Sequence, residues 1–119
     1  MTSLPRPRRG EVWLVGLDEG VGSEIRKTRP VIVISSDALR TLPVKVVVPV
    51  TEWKDQLAEL IWHVRLTPDT SNGLTKLSSA DGMQVRCVAH ERFIERLGRV
   101  DADVLEDIVA AVAAVIEAQ

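Results

Sequence analysis

Apolar positions change their period along the chain, and the change separates a long β-rich part from a short helical end. Glu11-Val12-Trp13-Leu14-Val15-Gly16-Leu17 is dense in β-formers and predicts a strand. Asp18-Glu19-Gly20-Val21-Gly22-Ser23 breaks it, and two glycines in a polar stretch predict a mobile connection from Asp18 to Thr28. Residues 31–35 form a continuous β-branched run, the pattern of a buried strand. Pro30 is expected to start that strand, because a proline cannot serve in the middle of a ladder. Residues 44–50 predict a third strand, interrupted near its end by Pro49. Residues 61–66 alternate apolar and polar side chains and predict a half-exposed strand. A loop follows over 67–73, with Ser71-Asn72-Gly73 as its turn. Residues 77–88 predict one or two short strands around Asp81-Gly82, and 90–96 a short helical turn.

The period then lengthens. Val104, Leu105, Ile108, Val109, Val112, Val115 and Ile116 recur at spacings of three and four, which places them on one stripe of a helix. Asp101 is the expected N-cap. About five to seven short strands followed by one helix read as an α+β domain, a small curled sheet or open barrel with the helix over one face.

Composition narrows the class. The 119 residues suit one domain spanning 1–119, with residues 1–9 as a basic N-terminal arm. No apolar run approaches the ~20 residues of a membrane span, and the Pro- and Arg-rich start lacks the apolar segment of a secretory signal. Cys87 is the single cysteine, so it makes no internal disulfide and supplies no metal cluster. These features favour a reducing, cytoplasmic setting. A net charge of −2 argues mildly against nucleic acid as a partner. The distribution changes that picture: residues 1–40 carry seven basic and five acidic side chains, whereas 91–119 carry three and seven. A basic patch is therefore compatible with an acidic chain.

Familiar catalytic sets are absent: no Cys/His metal spacing, no His-Glu-x-x-His, no phosphate-binding Gly-rich loop. His63 and His90 are expected at the surface. The informative segment is Gly22-Ser23-Glu24-Ile25-Arg26-Lys27-Thr28-Arg29-Pro30, with three cations and one carboxylate leading into a buried strand. Pro30 biases Arg29 toward an extended conformation, holding it at the sheet edge while Arg26 and Lys27 stay mobile. A merely solvated basic loop is the alternative reading. Thr51, just after Val48-Pro49-Val50, is a hydroxyl at a strand end, where functional groups often sit. A turn threonine is the alternative there.

Taken in order, these pieces carry a resemblance. Arg9-Gly10-Glu11-Val12-Trp13, Gly22-Ser23-Glu24, Arg29-Pro30-Val31-Ile32-Val33-Ile34-Ser35 and Val48-Pro49-Val50-Thr51 resemble the MazF/PemK/Kid toxins. So do Asn72-Gly73-Leu74, Gln84-Val85-Arg86, Arg96-Leu97-Gly98-Arg99 and the Val/Ala-rich helix. The resemblance implies an SH3-like, CcdB/PemK-type barrel, a two-fold homodimer, and cleavage of single-stranded RNA without metal or cofactor. It also implies inhibition by a MazE-like antitoxin with an acidic C-terminal segment. The family's catalytic arginine falls on Arg29, its catalytic threonine on Thr51, the glutamate of its Gly-Ser-Glu motif on Glu24, and the glutamine of its Gln-Ile-Arg motif on Gln84. Ser23, Arg26, Lys27, Gln84 and Arg86 are then the expected RNA contacts. Ile25, Met83 and Ala89 depart from the residues usual there, which bears on the recognised RNA sequence and leaves Arg29 and Thr51 intact.

Such a reaction needs little from the protein, because RNA carries its own nucleophile in the 2′-OH. Arg29 would meet the phosphate oxygens with a planar, charged fork. Thr51 would donate to or orient the phosphate. Glu24, an unusual arginine or water are open as acceptors of the 2′-OH proton. Bases need stacking platforms, and Trp53, in a polar context near Thr51, is the expected one; Trp13 and Trp62 read as core or interface residues. Two other readings stand beside this one. One is a CcdB-like toxin of the same fold that poisons gyrase. The other is a non-enzymatic SH3-like module, for which a chain with no tyrosine and one phenylalanine is poorly equipped.

Overall fold

The computed structural model describes residues 6–17 and 27–118. Seven strands are followed by one helix: β1 (Glu11–Leu17), β2 (Lys27–Val33), β3 (Val44–Glu52), β4 (His63–Leu66), β5 (Ser78–Asp81), β6 (Arg86–Ala89), β7 (Phe93–Arg99) and α1 (Ala102–Val115). The strands make one antiparallel sheet in the order β4-β5-β3-β2-β1-β7, and β6 also pairs with β3. This is the curled sheet with a terminal helix that the pattern predicts.

Two apolar clusters form on opposite faces, because successive side chains of a strand point to opposite sides. Val48 and Val50 of β3 join Val12, Ile32, Leu66, Ala80, Leu105 and Ile108 beneath α1. Val47 joins Trp13, Val15, Leu17, Val31, Val33, Val88 and Phe93 on the other face. The helix closes the first cluster through Leu105, Ile108 and Ala111, and the Asp101 carboxylate caps it by accepting from the Val104 N–H at 2.9 Å. Ile116 falls just past the last helical turn and is exposed, so the predicted stripe is one residue too long.

Other boundaries shift for local reasons. Pro30 lies inside β2, opposite Leu14 of β1, rather than at its start. On its other side the β2–β3 ladder begins only at Val31↔Pro49, so Pro30 sits beyond the end of that ladder. Lys27 and Thr28, expected in a mobile connection, are strand residues paired with Leu17 and Gly16; Asp18 to Arg26 lie outside the described residues. Pro49 does not interrupt β3. It stands where the strand exchanges partners, with β6 pairing residues up to Val47 and β5 residues from Val50. Ile61 and Trp62 form a turn ahead of β4, and Ile61 is exposed. Only His90–Arg92 of the expected helical turn at 90–96 is helical, as a 3-10 turn, and Phe93–Arg99 is a full strand against β1.

The 67–73 loop is fixed by side chains. The Asp69 carboxylate accepts from the Ser71 and Asn72 N–H groups at 2.8 and 2.7 Å. The Asn72 amide oxygen accepts from the Asp69 and Leu74 N–H groups, and its nitrogen donates to the Thr67 carbonyl. Gly73 has φ +70°, and a Cβ there would run into the Leu97 carbonyl; one at Gly98 would meet the Ser71 carbonyl. The loop and β7 therefore lie backbone to backbone. Gly73→Ala combines a left-handed φ with that clash, so we expect it to destabilise the fold by at least about 1–3 kcal/mol. A thermal melt unchanged from wild type would show that the loop has room to move away.

Candidate functional site

The start of β2 and the end of β3 converge on one place. The outermost β2–β3 pair is Val31↔Pro49, and Arg29 and Thr51 stand one pleat further out on their strands, on the same face. Thr51 is directly opposite Ser79 of β5, and Ser79 is directly opposite Arg65 of β4. Arg29, Thr51, Ser79 and Arg65 thus form a row across four strands, with neighbouring Cβ atoms about 5 Å apart where strands pair. Val15, buried, faces Arg29 from β1 and closes the row on the other side.

Exposure within the row decides which groups a ligand can reach. Arg29 and Arg65 are exposed, Thr51 is half-buried and Ser79 is fully buried. The Thr51 hydroxyl donates to the Glu52 carbonyl at 3.1 Å, a local bond that an incoming acceptor can replace. Thr51 was expected just beyond its strand; it lies inside β3, which fixes its backbone more firmly. Lys27 stands two residues before Arg29 on the same face, exposed, with φ +69°. Arg86, half-buried, faces Val47 from β6 and so shares the face of Pro49 and Thr51. Gln84 is half-buried in the 3-10 turn Gly82–Gln84 that links β5 to β6. Trp53 is held by its N–H bond to the Leu77 carbonyl, and the Arg65 guanidinium lies 5.6 Å from its ring centre. The fold therefore gathers Arg29, Thr51, Lys27, Arg86 and Trp53 around one face. Ser23, Glu24 and Arg26 lie outside the described residues.

Sequence reasoning missed a polar group beside this row. His63, expected at the surface, has a side chain only 7% exposed. Its Nδ1 is 2.8 Å from the Ser79 hydroxyl, and its Nε2 is 3.8 Å from the Asp81 carboxylate. His90 is also drawn inward, its Nε2 buried and its ring edge-on to Phe93. The available signal for His63 was the run Ser78-Ser79-Ala80-Asp81, whose polar residues in both phases of one short strand require a partner. Among the described residues, no three His, Cys, Asp or Glu side chains gather as a metal site would need. No helix among them is long and apolar enough to cross a membrane.

A second polar knot lies at the far end of β2 and is structural. Glu11 is buried and accepts from the Arg8 N–H at 2.7 Å, the Trp13 indole at 3.0 Å and the Arg96 guanidinium at 2.8 Å. Burial alone would push its carboxyl up, but the bonds from Trp13, Arg8 and Arg96 outweigh it and hold the carboxyl below its ordinary range. A lowered folded-state value stabilises the fold above the unfolded value of about 4.3, and that contribution is lost as pH falls through the folded value. Wild type should lose melting temperature on acidification below about pH 4.3, and Glu11→Gln should flatten that dependence while costing on the order of 1–3 kcal/mol at neutral pH. Parallel acid-melting curves would remove Glu11 from this role.

The curled antiparallel sheet with its covering terminal helix matches the fold of solved MazF structures. Residues 8–116 match the family model described as PemK-like, MazF-like toxin of type II toxin–antitoxin system. The endoribonuclease MazF9 of Mycobacterium tuberculosis is 36% identical over 101 residues, covering 80% of this chain and 83% of that protein. The crystal structure of MazF from Deinococcus radiodurans superposes with a TM-score of 0.79 at 20% identity, covering 95% and 98% of the two chains. A Mycobacterial endoribonuclease solved in complex with its cognate antitoxin superposes with a TM-score of 0.73 at 21% identity, covering 95% and 97%. The chain belongs to the PemK/MazF family of type II toxins and is a MazF-like toxin endoribonuclease.

Proposed function

We propose that the protein cleaves single-stranded RNA selectively by sequence, without a metal, and works as a homodimer in the cytoplasm. The observation that carries this reading is the in-register placement of Arg29 and Thr51 on one face, at the end of the β2–β3 ladder. The RNA 2′-OH attacks the adjacent phosphorus, the P–O5′ bond breaks as the 5′ oxygen takes a proton from solvent water, and the products are a 2′,3′-cyclic phosphate and a 5′-hydroxyl. Arg29 binds the non-bridging oxygens as charge builds in the transition state, where a fixed donor contributes most. Thr51 donates the second hydrogen bond to the same phosphate. Arginine stays protonated and so serves poorly as a base; Glu24 is the proposed acceptor of the 2′-OH proton.

Lys27, Arg26 and Arg86 track neighbouring phosphates, Ser23 and Gln84 add hydrogen bonds, and a base stacks on Trp53. Unpaired bases are where proteins read RNA sequence, and aromatic faces hold them. The same cationic face suits an acidic segment of a MazE-like antitoxin, which would displace RNA. Binding of that segment should weaken with salt as charge screening shortens. Incubating the protein with a long single-stranded RNA in excess EDTA tests the reading: discrete cleavage supports it. Intact RNA together with loss of DNA gyrase activity would favour a CcdB-like action instead.

A further inference from the structure

Resting on the RNA reading above, we infer that Arg65, held against the Trp53 ring, clamps a phosphate of the nucleotide stacked at Trp53. The pair would then form a second RNA subsite across the sheet from Arg29.

Strand register sets the placement. Arg65 faces Ser79 across the β4–β5 ladder and Ser79 faces Thr51 across the β3–β5 ladder, so Arg65 and Thr51 share a face with β5 between them. Trp53 stands two residues beyond Thr51 and returns to that face, with its N–H bonded to the Leu77 carbonyl beside β5. Arg65 leans from its own row onto this ring. Its guanidinium carbon lies over the ring, 5.6 Å from the centre, within the ~6 Å reach of a cation–π contact. Strands spaced ~4.8 Å apart put the Arg29 and Arg65 backbones roughly 14 Å apart across the sheet. Because Arg65 is drawn outward to Trp53, the phosphate it meets is a different one from that held by Arg29 and Thr51.

Arg65 has its hydrogen-bonding capacity in hand. A guanidinium carries five N–H donors in its plane, and stacking over Trp53 engages the face and leaves that edge unspent. Among the described residues Arg65 makes no hydrogen bond and no ion pair, and its side chain is exposed. Other arginines are committed: Arg96 and Arg99 to Glu11, Arg9 to the Ile34 carbonyl. Nearby carboxylates leave Arg65 alone. Glu52 falls on the opposite face, and Asp55 and Glu59 of the 3-10 turn after Trp53 are exposed and unpaired with it. Lys54, next to Trp53, and Lys76, next to its partner Leu77, are exposed and add positive charge. A charged planar fork with idle donors fits a phosphate, and a half-buried indole beside it suits a base. A nucleotide supplies both groups at once, whereas an acidic peptide supplies only the anion.

Binding of a single-stranded RNA with one 2′-deoxyribose at its mapped cut, measured against salt concentration, tests the subsite, with cleavage of the unmodified strand alongside. Arg65→Gln should weaken binding at least about fivefold, the lower end for losing one base-stacking contact. It should also reduce the slope of log affinity against log salt by about 0.7, the share of one phosphate contact in a single strand. KM should rise in step while kcat stays within about twofold, because Arg29 and Thr51 are untouched. Arg65→Lys keeps the charge and loses the fork, so it should retain the wild-type slope and recover part of the affinity. In a Trp53→Leu background Arg65→Gln should cost less than in wild type, since the ring holds the guanidinium. Wild-type affinity and slope in Arg65→Gln, a loss confined to kcat, or losses that simply add overturn the inference and leave the endoribonuclease reading intact. Weaker binding at an unchanged salt slope also overturns it, reducing Arg65 to a support for Trp53. A wild-type protein that neither binds nor cuts RNA defeats both.

Discussion

Replacing Arg29 by alanine is expected to lower the cleavage rate by about 10²–10³, the usual effect of removing one positioned donor to a developing anion. The side chain is exposed and makes none of the core contacts of its neighbour Val31, so the melting temperature should stay close to wild type. Arg29→Lys separates charge from shape: lysine keeps the charge but loses the planar fork, so it should restore only part of the rate. Thr51→Ala should follow the same course with a smaller loss, since a neutral donor contributes less than a charged one. If Arg29→Ala cuts RNA at the wild-type rate, the phosphate is held elsewhere. If it unfolds the protein, Arg29 is a structural residue of β2.

The second large effect concerns the substrate. A single 2′-deoxyribose on the 5′ side of the cut removes the nucleophile itself, and cleavage there should fall below detection. Cleavage at other sites of the same strand should continue, and the modified strand should still compete for binding, since phosphate and base contacts remain. Cleavage of the modified position would require an external nucleophile such as water. The roles assigned to Arg29 and Thr51 would then have to be redrawn around that water.

Periodicity and residue type together made much of the architecture legible: strand 11–17, the run 31–35 (of which 31–33 is the end of β2 and 34–35 lie past it), the third strand, the 67–73 loop and the capped helix. What stayed hidden depended on partners distant in sequence. Phe93–Arg99 lacks alternation because Phe93 faces a core while its later residues serve the Glu11 knot and the loop around Ser71. Pro30 looked like a strand start because a lone sequence does not say that one of its two ladders stops short at Val31. Arg29 and Thr51 were legible as chemistry and as parts of a resemblance. Their alignment on one face, however, follows from the β2–β3 register, which is not a local property of either segment. His63, Ser79 and Asp81 escaped notice because they come from two strands whose pairing brings them together. A histidine in the polar phase of a short strand reads as solvent-facing until a second strand covers it.

The proposed reaction requires that the RNA supply its own nucleophile at a site built from Arg29 and Thr51. Mapping the chemical ends of RNA fragments made by the wild-type protein in excess EDTA tests this most directly. Cleavage by 2′-OH attack should give fragments ending in 2′,3′-cyclic phosphate and beginning with 5′-hydroxyl, which polynucleotide kinase labels without prior phosphatase treatment. Fragments beginning with 5′-phosphate, or no fragments until a divalent metal is restored, would contradict it.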